Sequence, residues 1–318
     1  MKRVGILVMI LLLCGCSGGI SDEPKQPEIT ESQAVKLDIN FGKTSGQNAL
    51  NNKNHASNSG LCCYVEETDT LFFSEGGFIW QQTEGMLSRL AEENAVSLNF
   101  SEGTLYYIRA KKDMSVFSAG DLCALDPKSG ETQVLYSEDV SRVSVGEKIS
   151  FSTAEMRVIS DDTVSIGERC FECGLNGEDV TEVKPDLPAE KEGYGYHNIY
   201  RTGELTYCIE ENYGDYSNSL CVFDESGIIS RTKIKDSYIM DYTIIGEKVW
   251  CYTGELICYD KVPNTGAAYH DVSEAPPFFS LYACGERLLA ASENKIYEIT
   301  VNDNGTFTAN ALIEEVTP

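Results

Sequence analysis

Twelve cysteines, three histidines and fifty carboxylates are the residues of this 318-residue chain with the chemistry for catalysis or metal binding. The tightest spacing among them is "CFEC" at 170–173. A C-x-x-C pair acts as a redox dithiol when it opens a helix, or as half of a zinc site when a second pair completes the tetrahedron. The chain has no second C-x-x-C, and 170–173 lies in a segment with the pattern of a strand. There, residues three apart point to opposite faces with Cα atoms about 10 Å apart, beyond the roughly 7 Å that a disulfide spans. Cys170 and Cys173 therefore read as structural. His55, His197 and His270 show neither His-x-His nor H-E-x-x-H spacing, so no metal and no cofactor is expected. "GCSGG" at 15–19 fits G-x-S-x-G but lacks the strand before and the helix after that a nucleophile elbow needs. "NDNGTF" at 302–307 reads as a turn, and no spacing singles out a catalytic carboxylate pair. Recognition chemistry has one better candidate, "EENYGDYSN" at 210–218, read as a long loop carrying Tyr213 and Tyr216. An exposed tyrosine offers an apolar ring with a hydrogen-bonding tip, although the same composition suits a loop folded back on its own sheet.

The elements that must position these residues are short strands. A short phrase recurs as "VGEKISF" from Val145, "IGEKVWCY" from Ile245 and "CGERLLAAS" from Cys284. Taking the apolar residue that opens each second strand gives Leu71, Leu105, Ile149, Leu205, Val249 and Leu288, at intervals of 34, 44, 56, 44 and 39 residues. Each unit has one order: an alternating strand, a Gly-containing turn, a strand such as "LYY" or "VWCY", a third such as "DLCALD" or "SLCVFD", an acidic turn, and a more polar fourth strand. Four short antiparallel strands cannot bury two apolar faces alone, whereas sheets stacked around an axis cover one another. The interval is that of propeller repeats. The expected fold is all-β, a β-propeller over 60–318 of six four-stranded blades. Cys123 and Cys221 share one repeat position with Ile257, and Cys258 shares another with Ala124 and Val222. Cysteine there is a small apolar filler. Inter-blade disulfides stay open in an exported protein, and the sequence does not pair them.

The first residues give an address. Lys2 and Arg3 precede ten apolar residues, Val4 to Leu13, too few to span a bilayer and the right number for a secretory leader. "LCGC" at 13–16 resembles the lipobox of bacterial lipoproteins. That resemblance implies removal of residues 1–15 and acylation of Cys16, with several chains anchoring the protein firmly where one would hold it only marginally. Residues 16–33, polar and acidic, read as a flexible tether. Residues 34–59 read as a strand, alternating Val35, Leu37, Ile39 and Phe41, followed by an Asn/Gly-rich loop.

The "LYY…LxxxDxxxG" units and the Gly/Asn-rich lead-in from Gly42 resemble a bacterial family of unknown function, named for its likeness to the YWTD propellers of LDL-receptor-related proteins. The resemblance implies a surface-attached propeller and brings no catalytic residues. A net charge of −25 argues against nucleic acid as a partner and against a surface that lies on anionic lipid. The expectation is a monomeric, non-enzymatic binding module for protein, peptide or glycan, lipid-anchored to the outer face of a bacterial cell membrane. The alternatives are an envelope or glycan-processing enzyme with carboxylates at the channel mouth, and an envelope assembly factor. Replacing Cys16 with Ser is expected to release the protein from membranes on fractionation, and a C16S chain that stays membrane-bound refutes the anchor.

Overall fold

A computed structural model describes residues 60–111, 120–160, 163–183, 194–202, 204–233, 238–263, 266–271, 273, 277–292 and 295–313. Cys16, the tether and the segment at 34–59 lie outside them. The described chain is strand after strand, with one 3-10 turn at Glu66–Thr68 among the described residues. The first sheet is a meander of β1 (Cys62–Val65), β2 (Thr70–Glu75), β3 (Phe78–Thr83) and β4 (Met86–Ala91). A seven-stranded sheet follows, with β5 (Ala95–Ser101), β6 (Thr104–Ala110), β7 (Gly120–Leu125), β8 (Thr132–Val145), β9 (Ile149–Ser160), β10 (Thr163–Cys173) and β11 (Thr181–Val183). β8 belongs to two meanders. Its first half pairs with β7 from Thr132 onward, and its second half pairs with β9 from Val140 to Val145. The fourth meander is β12 (Tyr194–Thr202), β13 (Leu205–Asn212), β14 (Ser217–Asp224) and β15 (Gly227–Thr232). The last sheet holds β16 (Asp241–Ile245), β17 (Lys248–Tyr252), β18 (Leu256–Asp260) and β19 (Gly266–Asp271), then β20 (Ser280–Cys284), β21 (Arg287–Ser292), β22 (Lys295–Val301) and β23 (Thr306–Ala311). These are two meanders joined where β19 meets β23 in parallel over two residues.

Clusters of buried apolar residues join the first meander to the second, the second to the third, the fourth to the fifth and the fifth to the last. Leu98, Leu105 and Tyr107 pack on Cys63, Val65 and Phe72 of the first meander. Tyr106, Ile108 and Leu122 turn the other way, onto Ile149, Phe151 and Phe171. Tyr207, Ile209 and Leu220 meet Tyr242, Val249 and Cys251, and Tyr252 and Leu256 meet Leu281 and Leu288. A further cluster joins the last meander to the first, with Tyr282, Cys284 and Leu289 against Cys62, Leu71 and Phe73. This is a β-propeller, closed between its two chain-end meanders. Side chains assist the closure: the Leu61 amide donates to the Tyr282 hydroxyl at 3.2 Å, and the Ile296 amide donates to Glu75 Oε2 at 2.9 Å.

The recurring Gly-Glu phrase is the first turn of its meander, in two geometries. Ile245 pairs with Lys248 and Cys284 with Arg287, leaving two-residue turns whose glycines, Gly246 and Gly285, have φ of +57° and +59°. Glycine takes that conformation without a Cβ clash. Val145 pairs with Ile149 instead, a three-residue turn in which Gly146 lacks positive φ. The pairing also corrects one repeat position. Leu71, Leu105, Val249 and Leu288 all face the preceding meander, but Leu205 stands one residue early and faces the following one, so Thr206 takes the equivalent site. A bulge of β12 between His197 and Tyr200 matches that of β5 between Val96 and Asn99, so the two strand pairs share one register with Thr206 at the position of Leu105. Cys170 and Cys173 both lie on β10, as the strand reading requires.

Leu105 is fully buried between the first two meanders. Leu105→Ala is expected to cost about 2–5 kcal/mol in a denaturant titration, and a near-neutral result refutes that packing.

Candidate ligand-binding face

In a four-stranded meander the turn between the second and third strands and the connection to the next meander emerge at the same end. Tyr213 and Tyr216 lie in the second turn of the fourth meander. The expected long loop is instead a four-residue turn, 213–216, because β13 and β14 stay paired as far as Asn212 and Ser217. Its short polar side chains build it. Asn212 Oδ1 accepts from the Gly214 amide at 2.8 Å, and Asp215 Oδ1 accepts from the Ser217 amide at 3.0 Å, local bonds typical of Asx turns. Tyr216 takes φ of +55°. Both rings stand out from the sheet, with Tyr213 53% and Tyr216 68% exposed.

The structure brings a third tyrosine to them. The connection from β15 to β16 is clamped by Asn218, a buried residue of β14, whose Nδ2 donates to the Ile239 carbonyl at 2.7 Å and whose Oδ1 accepts from the Ile239 amide at 2.9 Å. This two-way bond places Tyr238 beside the turn, 42% exposed, with its hydroxyl donating to Glu211 Oε1 at 3.2 Å. Partial burial, with the Glu211 carboxylate charge next, pushes the Tyr238 hydroxyl up to about 12, and the Tyr213 hydroxyl acts on it in the same sense. Phe279, 55% exposed, precedes β20 on the next connection and so lies at the same end of the ring. The sequence reading missed Tyr238 and Phe279. The available signal was an aromatic placed just outside an alternating strand, in "DSYIM" and "PPFFS".

The opposite end holds a cleft of 220 Å³ at the seam of the first and last meanders, lined by Tyr64, Asp69, Gln82, Glu84 and Arg287 among others. Its arginine, glutamine and tyrosine are already engaged. Arg287 forms a bidentate pair with Glu298, at 3.0 and 2.9 Å, and gives Nη1 to Gln82 at 3.1 Å, while Tyr64 donates to Asp69 at 2.9 Å. Among the described residues no three His, Cys, Asp or Glu are grouped to hold a metal. His270 is exposed on β19, its Nδ1 3.2 Å from Glu255. His197 lies on β12, and His55 falls outside the described residues. "NDNGTF" turns between β22 and β23, with Asn304 Oδ1 accepting from the Thr306 hydroxyl at 2.6 Å.

One carboxylate is strongly perturbed. Asp241, 1% exposed at the start of β16, joins three inner strands: Oδ1 accepts from Asn198 Nδ2 of β12 at 3.0 Å, and Oδ2 from the Leu281 amide of β20 at 2.9 Å. Burial raises it to about 7, against the pull of its amide donors. A group so enclosed acts as a strut between meanders and has no access to a substrate.

No family model matches the sequence, and no curated protein does. In backbone path the chain is similar to oligogalacturonate lyase from Vibrio parahaemolyticus, with a TM-score of 0.43 and 9% identity over 81% of this chain and 89% of that one. It is also similar to Hsv2 from Kluyveromyces lactis (0.42, 10%, 80% and 98%) and to TolB from Acinetobacter baumannii (0.39, 8%, 64% and 52%). It is the strand pairing described above that makes this chain a propeller.

The ionisation of Asp241 gives a testable sign. Its folded value of about 7 lies above the ordinary 3.8, so its contribution is most favourable below pH 4 and is lost as pH rises to 7, by on the order of 4 kcal/mol. Asp241→Asn is expected to flatten that part of the stability profile between pH 4 and 8 in denaturant titrations. An unchanged slope in the variant refutes the assignment.

Proposed function

We propose that this chain is a monomeric surface lipoprotein, held on the outer face of a bacterial membrane through lipidated Cys16. Its propeller, six blades with repeats of the YWTD kind, acts as a non-enzymatic module that binds protein, peptide or glycan. The supporting observation is that Tyr213, Tyr216, Tyr238 and Phe279 are all exposed at one end of the ring. Large aromatic side chains are the usual anchors of binding interfaces because they bury much area for little lost rotamer freedom. Hydroxyl tips among Glu211 and Asp215 add directional hydrogen bonds at the rim. A tether of polar residues before the domain would hold this end clear of the headgroups.

The enzyme alternative draws no comparable support. The carboxylate with the clearest perturbation, Asp241, is enclosed by backbone and Asn198, and the seam cleft has its guanidinium neutralised by Glu298. An array of envelope glycans and surface proteins is the direct screen. For any ligand it finds, the combined Tyr213→Ser, Tyr216→Ser and Tyr238→Ser variant is expected to lose affinity by at least about tenfold without losing its fold. Binding retained within twofold by a folded triple variant refutes this face as the site.

A further inference from the structure

The hairpin that presents Tyr213 and Tyr216 carries two thiols at its base. Cys208 on β13 and Cys221 on β14 are direct cross-strand partners, four residue pairs below the turn. Directly opposed residues of an antiparallel pair have Cα atoms about 4.5–5.5 Å apart, inside the range a disulfide bridges. Both are fully buried and both are free thiols in this structure. Their side chains point away from the fifth meander, since their strand neighbours Tyr207, Ile209, Leu220 and Val222 form the cluster on that side. Cys221 is in turn the cross-strand partner of Arg231 on β15, whose positive charge acts on the Cys221 sulfur and is paired with Glu210 at 3.0 Å. A row of thiol, thiol and guanidinium thus crosses three strands, with the partly exposed arginine at its outer end.

The other meanders show that this is more than a preference for cysteine. The equivalent cross-strand pair is Tyr107 with Cys123 in the second meander and Cys251 with Ile257 in the fifth. Each of those carries one thiol facing an apolar or aromatic partner, so it can only fill space. In the fourth meander both positions are cysteine.

We propose that Cys208 and Cys221 are a redox pair that closes to a cross-strand disulfide when the chain meets an oxidising compartment, stapling the hairpin that presents Tyr213 and Tyr216. The oxidant is a disulfide donor, either a small-molecule disulfide or an oxidised dithiol protein. The exchange runs while the hairpin is still forming, before packing buries both sulfurs: the Cys221 sulfur, as thiolate, attacks one donor sulfur and expels the other as a thiolate. Cys208, deprotonated in turn, attacks the Cys221 sulfur of the mixed disulfide and expels the second. The two protein thiols give up two protons and two electrons, and the donor leaves as two thiols. Arg231, already paired with Glu210, offsets only part of the negative charge that develops on sulfur during the exchange.

The test is made on the full chain, produced by secretion through an oxidising compartment, unfolded in the presence of an alkylating agent and digested without reductant. A peptide linked through Cys208 and Cys221, with Cys123 and Cys251 alkylated, is the expected result by mass spectrometry. Alkylation of both Cys208 and Cys221, or a link from either to another cysteine, overturns the proposal. This outcome is independent of ligand binding. It stands or falls without the tyrosine face, whose failure would be read in the affinity of the serine variant.

Discussion

The fold depends on one constraint: a narrow four-stranded sheet with apolar side chains on both faces has no stable existence by itself. β2 is buried at all six positions and β20 at all five, which no single-sided sheet allows. Each face must be covered by another sheet of the same kind, and the requirement passes from meander to meander until the last one faces the first. Closure here relies on that packing. Among the described residues the first and last meanders share no strand, and their contact combines the cluster around Cys62, Leu71, Tyr282 and Leu289 with the bonds of Leu61, Glu75 and Gln82 across the seam.

This constraint separates the residues that hold the ring from those free to act. Tyr107, Tyr207, Tyr242, Tyr259 and Tyr282 are fully buried, and their rings fill the spaces between meanders. Tyr213, Tyr216 and Tyr238 have the same chemistry but sit on turns and connections, where nothing in the core dictates the side chain. Burial fixes a residue's size and leaves turns free to vary, so recognition collects at the ends of the ring. Asp241 shows the other side of the rule: a charged residue placed inside the ring is held by donors from two neighbouring meanders and serves as a joint.

The cysteines follow the same division. At the second-strand position the core accepts Tyr107 or Cys251, and at its third-strand partner Cys123 or Ile257, because what matters there is volume on the face toward the preceding meander. Where two thiols face each other across that position, packing and redox chemistry coincide at the root of the hairpin that carries the exposed tyrosines.

Alternation of apolar and polar residues was enough to place the strands, since a strand's period is local, and the Gly-Glu turns marked the start of three meanders. Tyr213 and Tyr216 were legible as turn residues for the same reason. The register was not: Leu205 reads like Leu105, yet it closes its turn against Thr202 as Thr104 does against Ser101, which assigns the equivalent site to Thr206. The length of the 210–218 segment was misjudged, because cross-strand pairing between polar residues such as Glu211 and Asn218 leaves no apolar trace in the sequence. Tyr238 joins Tyr213 through the clamp of Asn218 on Ile239, twenty-one residues apart, and through its own bond to Glu211. The sequence by itself determined the strands, the repeat and the class of fold, all of which follow from short-range periodicity. Which side chains stand together, at the seam, in the thiol row and on the tyrosine face, was decided only by the tertiary structure, because those meetings depend on pairing register and ring closure between residues far apart in the chain.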